Sequence, residues 1–261
     1  MMYAQLSLIL AQYGYDTPGY YAHTHGGAYS SATMLGFLLL VVAGLIGSFV
    51  QARMQSRMRE FSAQPARSTG AQVARAMLDA YGLHDVQITH VAGQLTDHYN
   101  PANRTVNLSD AVYSQATVAA AAVAAHECGH AVQHAQAYPW LGLRSELVPL
   151  VNIGSRLGQV LLLLGLGLLA AGTGTTVAWV GLALYASTTL FALVTLPVEF
   201  DASRRALAWL RGADSVSPTM HAQASTALRW AAMTYVAAAL SSIAMLVYYA
   251  LILLSRSNSR R

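Results

Sequence analysis

The chain has 261 residues, of which 55% are hydrophobic and only 10% are Asp, Glu, Lys or Arg. A soluble domain usually carries about 25% charged residues, so this chain has too little charge to cover a surface that faces water on all sides. The basic residues are all arginines and the formal net charge is +4, but no nucleic-acid-binding motif accompanies them. The composition therefore predicts an integral membrane protein and argues against nucleic acid as a partner.

Four long apolar segments indicate four transmembrane helices, because a helix needs about 20 predominantly apolar residues to cross the hydrocarbon core. The charge-free block at 157–198 is about twice that length, and we interpret it as two spans joined by a turn at Gly172-Thr173-Gly174-Thr175. The predicted organisation, in chain order, is an interfacial extracytoplasmic segment at 1–31, a first span at 32–51, a module at 52–156, the second and third spans at 157–198, a segment at 199–230, and a fourth span with a basic tail at 231–261.

The placement of arginine predicts the orientation of the chain. No Lys or Arg precedes the first span, whereas a cluster of four arginines follows it at 53–67. By the positive-inside rule, we expect the N-terminus outside and the 52–156 module in the cytoplasm. A second cluster agrees with a cytoplasmic 199–230 segment, and a third, at the C-terminus, opposes this orientation. These two clusters are Arg204, Arg205 and Arg211, and Arg256, Arg260 and Arg261.

The 52–156 module has the mixed elements of a small α+β fold. A short amphipathic helix is predicted at 71–81 after Ser68-Thr69-Gly70, and residues 86–91 alternate apolar and polar side chains as a strand does. A turn at 100–103 leads into a second strand at 105–108, and an alanine-rich helix follows at 117–134. The predicted fold class is a mainly α membrane protein, with about four transmembrane helices and a small cytoplasmic α+β module.

The alanine-rich helix carries the motif His126-Glu127-Cys128-Gly129-His130. Residues four apart project from one face of a helix, so the two imidazoles can bind one Zn²⁺ at about 2.0–2.1 Å. Glu127 follows the first ligand directly, where its carboxylate can take a proton from the attacking water and deliver it to the leaving amine. This His-Glu-x-x-His pattern predicts a zincin-like module with His126 and His130 as zinc ligands and Glu127 as the general base.

A third zinc ligand has to come from elsewhere, because a catalytic zinc usually has three protein ligands and one open position. Glu199 is the first candidate, since it directly follows the charge-free block and lies at the predicted cytoplasmic end of the third span. Asp201 is the rival ligand. The alternative role for Glu199 is an interfacial ion pair with Arg204 or Arg205.

Several other residues are candidates for supporting roles. His134 lies one turn beyond His130, but three successive helical turns cannot easily surround one tetrahedral ion, so it is expected to orient a ligand or lie at the surface. Asp201 is a second candidate for orienting a ligand. Donors to the oxyanion of the transition state are expected among Tyr99, Tyr113 and Arg205.

Two further expectations concern the surroundings of the motif. The strand-like segment at 104–109 could offer an edge to which an extended substrate adds by backbone hydrogen bonds. An ordinary hairpin edge packed on the helix fits the same segment equally well. Cys128 points away from the His126/His130 face and is expected to be a small buried residue.

Four stretches of the sequence carry a family resemblance: 95–99, 123–134, 195–206 and 234–238. They resemble the YugP-like family of bacterial membrane zinc peptidases, which is similar in its site to the HtpX-like group. The resemblance implies zinc ligands at His126, His130 and Glu199, with Glu127 as the catalytic base. It also implies that the protein lies in the inner (plasma) membrane of a bacterium. HtpX-like proteins commonly have an acidic residue four positions after the ligand Glu, where this chain has Ser203.

The motif and the resemblance together predict a membrane-embedded zinc endopeptidase, gluzincin-like in having Glu as third ligand. Its predicted cofactor is Zn²⁺, its substrate is membrane-associated or misfolded polypeptide, and membrane lipid surrounds it. The alternative is a non-enzymatic membrane scaffold or chaperone, in which His134 or Asp201 closes the zinc site as a fourth protein ligand. A metal transporter is disfavoured because both motif histidines fall outside every long apolar run. The sequence gives no indication of the oligomeric state.

Overall fold

The computed structural model describes residues 31–168, 174–213 and 216–258. Within these residues the chain is mainly helical, with one small sheet. The predicted interfacial segment lies outside them except for Ser31, as do the first half of the turn predicted at 172–175 and the last three residues of the basic tail. The elements are α1 (Ser31–Ser62), α2 (Gly70–Ala80), β1 (Gln87–Val91), β2 (His98–Asn100), β3 (Thr105–Ser109), α3 (Asp110–Tyr113), α4 (Val118–Ala135), α5 (Pro139–Leu168), α6 (Thr175–Gly212) and α7 (Pro218–Asn258).

Four helices among the described residues are long and apolar enough to cross a membrane, which confirms the predicted number of spans. They are α1, α5, α6 and α7, with mean hydropathies of 2.4, 1.6, 1.8 and 2.2 in their most apolar windows. Large apolar side chains on these helices remain exposed, as Leu45 (66%) and Ile153 (63%) illustrate. Such side chains suit a helix that faces lipid, where the backbone polar groups are satisfied within the helix itself.

Each of these helices is longer than the apolar run that predicts it. Helix α1 continues past residue 51 to Ser62, and α5 begins at Pro139, within the stretch assigned to the module. Helix α6 continues through Pro197 and on to Gly212. Hydropathy marks only the apolar part of a helix, whereas its backbone hydrogen bonds continue through polar residues. The ends of the long helices are therefore available to pack against the module.

The module between α1 and α5 follows the local sequence pattern closely. Helix α2 begins with a capping box, in which the Thr69 hydroxyl accepts from the Gln72 N–H and the Gln72 side chain accepts from the Thr69 N–H. The sheet has the order β1-β3-β2, with β1 parallel and β2 antiparallel to β3. Strand β2 was not predicted, because three residues are too few to show an alternating pattern.

The expectation that residues 104–109 offer a free strand edge is wrong. This segment forms β3, which is the central strand of the sheet and is paired on both sides. All five of its residues are buried. The strand at the edge of the sheet next to α4 is β2, which contacts that helix directly.

The described residues form two hydrophobic cores, and α6 contributes to both. The larger core joins α2, the sheet and α4 with the end of α6 and the start of α7. The smaller one lies between the apolar parts of α5, α6 and α7, around Leu162, Leu182 and Leu253. The end of α6, including Ala206 and Leu210, therefore belongs to the module's core. This arrangement brings the residues that follow the third apolar run against α4.

Candidate metal centre

Helix α4 is rich in alanine, and the part of it that precedes the motif is capped and buried. The Thr117 hydroxyl caps the helix by accepting a hydrogen bond from the Ala120 N–H. Alanine has the highest helix propensity and a side chain small enough for neighbours to pack closely on every side. The alanines at 119–122, 124 and 125 are all buried. The motif residues that follow are thus held on a packed helix, as the sequence predicted.

Gly129 allows α6 to approach α4 at backbone distance. A Cβ atom at this position would lie 2.5 Å from the Ala202 carbonyl oxygen and 3.1 Å from the Ala202 Cα. A side chain would therefore overlap the backbone of α6, and only glycine fits. The close approach places Glu199 and Ser203, which flank Ala202 on α6, against the motif histidines.

The three residues predicted as zinc ligands meet between α4 and α6. Oε2 of Glu199 lies 3.3 Å from Nε2 of His126 and 3.7 Å from Nε2 of His130. One possible ligand atom from each residue falls within 4.8 Å of the others. Glu199 is 2% exposed, and the two imidazole rings are nearly perpendicular, at 82°. The group is the one cluster of three or more His, Cys, Asp or Glu residues in the described part of the chain that could hold a metal ion.

These separations fit a zinc ion better than they fit direct hydrogen bonds. A nitrogen-to-oxygen hydrogen bond usually spans about 2.7–3.2 Å, so the contact of 3.7 Å between His130 and Glu199 is too long to be one. Ligand atoms around a tetrahedral zinc, each about 2.0–2.1 Å from the ion, lie about 3.3–3.4 Å apart. Two imidazoles and one carboxylate are also a donor set that catalytic zinc sites use. The residues present therefore fit zinc.

The remaining ring nitrogen of each histidine has its own partner. Nδ1 of His126 lies 3.1 Å from the Ser203 hydroxyl. Nδ1 of His130 lies 3.0 Å from Oε1 of Gln133. Ser203 thus occupies the position where the HtpX-like group has an acidic residue, and its hydroxyl is in hydrogen-bond contact with His126. Both rings direct Nε2 toward Glu199.

The Gln133 amide determines which nitrogen of His130 carries the proton. Its Nε2 donates to the Val198 carbonyl at 2.8 Å and to the Asp201 carboxylate at 2.9 Å. Because both of those groups can only accept, the amide oxygen is the atom that faces His130 and accepts from Nδ1–H. Nε2 of His130 is then left with a free lone pair, as a metal ligand requires. Hydrogen bonds therefore link the Asp201 carboxylate to His130 through the Gln133 amide.

Glu127 is held by the backbone of β2. The Tyr99 N–H donates to Oε2 of Glu127 at 3.0 Å. Glu127 is 8% exposed, so it is largely shielded from water although it lies close to the metal-binding group. This hydrogen bond fixes the orientation of the Glu127 carboxylate beside the metal-binding group.

The other predicted supporting residues make contacts of their own. The Asp201 carboxylate accepts hydrogen bonds from Arg204 and Arg205, so the ion pair considered for Glu199 is formed by Asp201. Arg205 also donates to Gln136. The remaining contacts join Tyr99 Oη to Nδ1 of His134, at 2.8 Å, and the rings of Tyr113 and His90, at 5.4 Å.

The Tyr99 hydroxyl forms a hydrogen bond with Nδ1 of His134. Burial raises the pKa of Tyr99, so the hydroxyl keeps its proton near neutral pH. His134 is an exposed residue and is not part of the metal-binding group. The backbone N–H of Tyr99 contacts Glu127 of the motif, whereas its side chain contacts His134.

Cys128 is a buried residue on the other side of α4, as predicted. It is fully shielded from solvent, and its Sγ lies 3.5 Å from the Ala74 carbonyl oxygen of α2. Burial raises the pKa of the thiol, which disfavours the reactive thiolate. Cys128 thus packs α4 against α2 and takes no part in the metal centre.

Two residues near the centre were missed by sequence reasoning. Nη1 of Arg144, on α5, lies 3.2 Å from Oε1 of Glu199. Tyr235, on α7, lies within electrostatic reach of Glu199 and Glu127. Tyr235 falls within one of the stretches that carry the family resemblance, which is the signal that could have found it. Arg144 has no such signal, because the residues around it in the sequence form no motif and many arginines lie next to apolar segments.

The fold and the site are those of a protein with four candidate membrane spans among its described residues and a group of three residues that could hold a metal ion. His126 and His130 of this group come from α4, and Glu199 comes from α6. Residues 36–254 match the protein family described as "putative neutral zinc metallopeptidase", and the chain belongs to that family. It is 39% identical over 222 residues to the "Putative membrane protease YugP" of Bacillus subtilis (strain 168), covering 84% of this chain and 97% of that protein. No solved structure matches the chain significantly. The predicted family is confirmed, and zinc is its cofactor.

Proposed function

We propose that the protein is a zinc-dependent endopeptidase of the gluzincin type, which hydrolyses peptide bonds of membrane-associated or misfolded proteins. The observation that carries this proposal is the convergence of Glu199 Oε2 with Nε2 of His126 and of His130. Three protein ligands leave one position of a tetrahedral zinc open, which is the arrangement of a catalytic site. Family membership agrees with this chemistry.

In this mechanism His126, His130 and Glu199 hold the metal. Zinc, when bound, polarises the scissile carbonyl and acidifies the water that attacks it. The Glu127 carboxylate takes one proton from that water as the new C–O bond forms. It then gives the proton to the leaving nitrogen as the C–N bond breaks, so the products are a carboxylate and an amine. The Tyr99 N–H keeps the Glu127 carboxylate oriented for this task.

An extended polypeptide would be positioned along the edge of β2. This strand is the edge strand next to α4, and its Tyr99 N–H already contacts Glu127. Addition to a strand edge uses backbone hydrogen bonds, which all peptide sequences can form. Such binding suits an enzyme that acts on misfolded polypeptides of varied sequence. It would bring a substrate carbonyl close to the Glu127 carboxylate.

The catalytic module is proposed to face the cytoplasm at the inner (plasma) membrane of a bacterium. Arginines follow the first span at Arg53, Arg57 and Arg59, and others occur near the end of α6. Those two helix ends pack on the same hydrophobic core as the motif helix, through Phe61 and Leu210. By the positive-inside rule, these arginines support a cytoplasmic location for the module and the metal centre.

The scaffold alternative needs a fourth protein ligand, for which His134 and Asp201 were the candidates. His134 is in contact with the Tyr99 hydroxyl. The Asp201 carboxylate is shared among Gln133, Arg204 and Arg205. Both side chains have other partners, and neither belongs to the metal-binding group. The contacts of the described residues therefore favour the peptidase.

Replacement of Glu127 by Gln tests the proposal. The amide keeps the shape of the side chain but cannot take up the proton, so we expect cleavage of denatured casein to fall by about 100-fold or more. Zinc content, measured by metal analysis of the purified protein, should stay the same as in the unaltered protein. Cleavage that persists in the variant at an unchanged rate would refute the role of Glu127.

The matched control is Glu146→Gln, on α5, where the side chain is exposed. This variant loses the same charge from the protein and should retain its activity. The unaltered protein should also lose activity when a chelator removes zinc and regain it when zinc is restored. Protein that contains no zinc, or that binds it without hydrolysing any polypeptide, would favour the scaffold.

A further inference from the structure

The two oxygens of the Glu199 carboxylate face different partners. Oε2 faces the histidine pair, at 3.3 Å from Nε2 of His126 and 3.7 Å from Nε2 of His130. Oε1 faces Arg144 on α5, with 3.2 Å between Oε1 and Nη1. The carboxylate is thus placed between three basic side chains from two different helices, with the two histidines at Oε2 and Arg144 at Oε1.

This division matters because a carboxylate can bind a metal through one oxygen or through both. A guanidinium that holds one oxygen leaves the other to serve as a single ligand atom. Ligating carboxylates usually have hydrogen-bond partners outside the metal site, and these partners influence the affinity for the metal. Arg144 is in the position of such a partner.

Arg144 is itself held in place. Its guanidinium lies over the Phe191 ring, 6.0 Å from the ring centroid, and its side chain is 30% exposed. Phe191 belongs to α6, so Arg144 contacts this helix at both Phe191 and Glu199. Because α5 packs along α6, the arginine reaches Glu199 from a helix that supplies no zinc ligand. Burial of the Glu199 carboxylate would be costly without such charged partners.

We infer that Arg144 is a positioning residue, which reserves Oε2 of Glu199 for zinc by holding Oε1. The inference rests on the proposed function, since it assigns Glu199 as a zinc ligand. Arginine is suited to this role because its donors have a fixed planar arrangement and its charge is permanent. Lysine would retain the charge but not this planar arrangement.

The test compares zinc affinity in Arg144→Gln, Arg144→Lys and the control Arg156→Gln, by competition with a chromophoric chelator on the full-length protein in detergent. Arg156 lies on the same helix with an exposed side chain. Loss of an outer partner of a metal ligand typically lowers affinity about 10–100-fold. We expect a loss in that range for Arg144→Gln, a smaller loss for Arg144→Lys, and none for Arg156→Gln.

X-ray absorption of the zinc-loaded proteins gives a second readout. One Glu oxygen should bind zinc in the unaltered protein, whereas release of Oε1 in Arg144→Gln should allow the second oxygen to join. The effect should also depend on Glu199: in a Glu199→Gln background, removal of Arg144 should cause no further loss of zinc affinity. If Arg144 had only a structural role, its removal would leave the number of Glu oxygens on zinc unchanged. Its effect on zinc affinity would then also be the same with and without Glu199.

Two outcomes would overturn the inference. One is a zinc affinity in Arg144→Gln within about twofold of the Arg156→Gln control, well short of the 10–100-fold loss expected. The other is an undiminished effect of Arg144 removal in the Glu199→Gln background. In both cases the unaltered protein would still bind zinc and lose activity on Glu127→Gln, so the proposed function would stand. If the unaltered protein bound no zinc, the proposed function would fail together with this inference.

Discussion

Among the described residues, glycines bring the backbone of α6 against two other helices, α4 and α5, and only the contact with α4 borders the candidate metal centre. Against α4, the contact is between Gly129 and Ala202. Against α5, it involves Gly181, where a Cβ would lie 2.3 Å from the Leu162 N, and Gly165, where a Cβ would lie 2.3 Å from the Ala178 N. In both places the absence of a side chain lets two helix backbones approach closely.

The difference between the two contacts lies in the side chains around them. Gly181 and Gly165 are surrounded by an apolar core that includes Leu162, Ala178 and Leu182. Gly129 is bordered by polar side chains, and buried polar groups are costly unless each has a partner. Among the described residues, the buried side-chain nitrogens and oxygens without a hydrogen-bond partner are Arg75 Nε and Thr188 Oγ1, and neither belongs to the metal centre. A glycine thus allows two helices to pack closely, but the polar side chains around it decide whether the contact can bind a metal.

The largest effect is expected from Gly129→Ala. The added methyl group would overlap the Ala202 carbonyl oxygen, so α4 and α6 must move apart and the distances between the histidines and Glu199 must change. Misplacement of a catalytic group by about 1 Å can cost about 100-fold in rate, and we expect a loss of at least that size in casein cleavage. Zinc content should fall as well.

The control for this variant is Gly142→Ala on α5, where a Cβ would meet no atom within 4 Å. It should retain zinc and activity. If Gly129→Ala retained both, the approach of α6 would not depend on the glycine, and the comparison between the two contacts would lose its basis.

A smaller effect is expected from Gln133→Met. This change removes the acceptor for the Nδ1–H of His130 while Arg204 and Arg205 still neutralise Asp201. Zinc affinity should fall by about 10–100-fold, because the outer partner of a histidine ligand orients the ring and selects its tautomer. Gln159→Met, at an exposed position of α5, is the matched control and should leave the affinity unchanged. Equal affinities in the two variants would show that the Asp201–Gln133–His130 chain does not influence the metal.

The smallest effect on the metal centre is expected from Gly181→Ala, in the contact without polar side chains. The methyl group would overlap the α5 backbone, and overpacking of this kind typically costs about 1–3 kcal/mol of stability. The temperature of unfolding should fall, whereas the zinc affinity of the folded protein should not change.

The control for this stability measurement is Gly167→Ala, where a Cβ would meet no atom within 4 Å. Loss of zinc affinity in Gly181→Ala comparable to that in Gly129→Ala would show that the two contacts are coupled through α6. Arg144, which joins α5 to Glu199, would then be the first residue to examine for that coupling.

Local elements were predicted well because their signals lie in neighbouring residues. The helix predicted at 71–81 is α2, the strand predicted at 86–91 is β1, and the helix predicted at 117–134 is α4. Capping residues, alternation and alanine content act within a few positions of the chain. The strand edge was assigned to the wrong segment, because sheet order depends on pairing between strands that are distant in sequence.

The residues of the metal centre also divide into those that local sequence signals predict and those that depend on contacts between helices. His126, Glu127 and His130 could be found from their spacing, since one helix carries all three. The choice of Glu199 rested mainly on family resemblance, because the residue lies 73 positions from His126. Gln133, Ser203 and Arg144 were assigned no partner, since a hydrogen bond between helices leaves no pattern in a single sequence.

The sequence by itself determined the membrane character, the four apolar helices and the histidine pair with its glutamate, because these depend on composition and on spacing along one helix. Only the tertiary structure decided that α6 approaches α4 at Gly129, that Asp201 takes the arginines while Glu199 faces the histidines, and that Arg144 reaches Glu199 from α5. Each of these features depends on how closely two helices pack. That distance is set by the balance of burial and hydrogen bonding over the whole molecule.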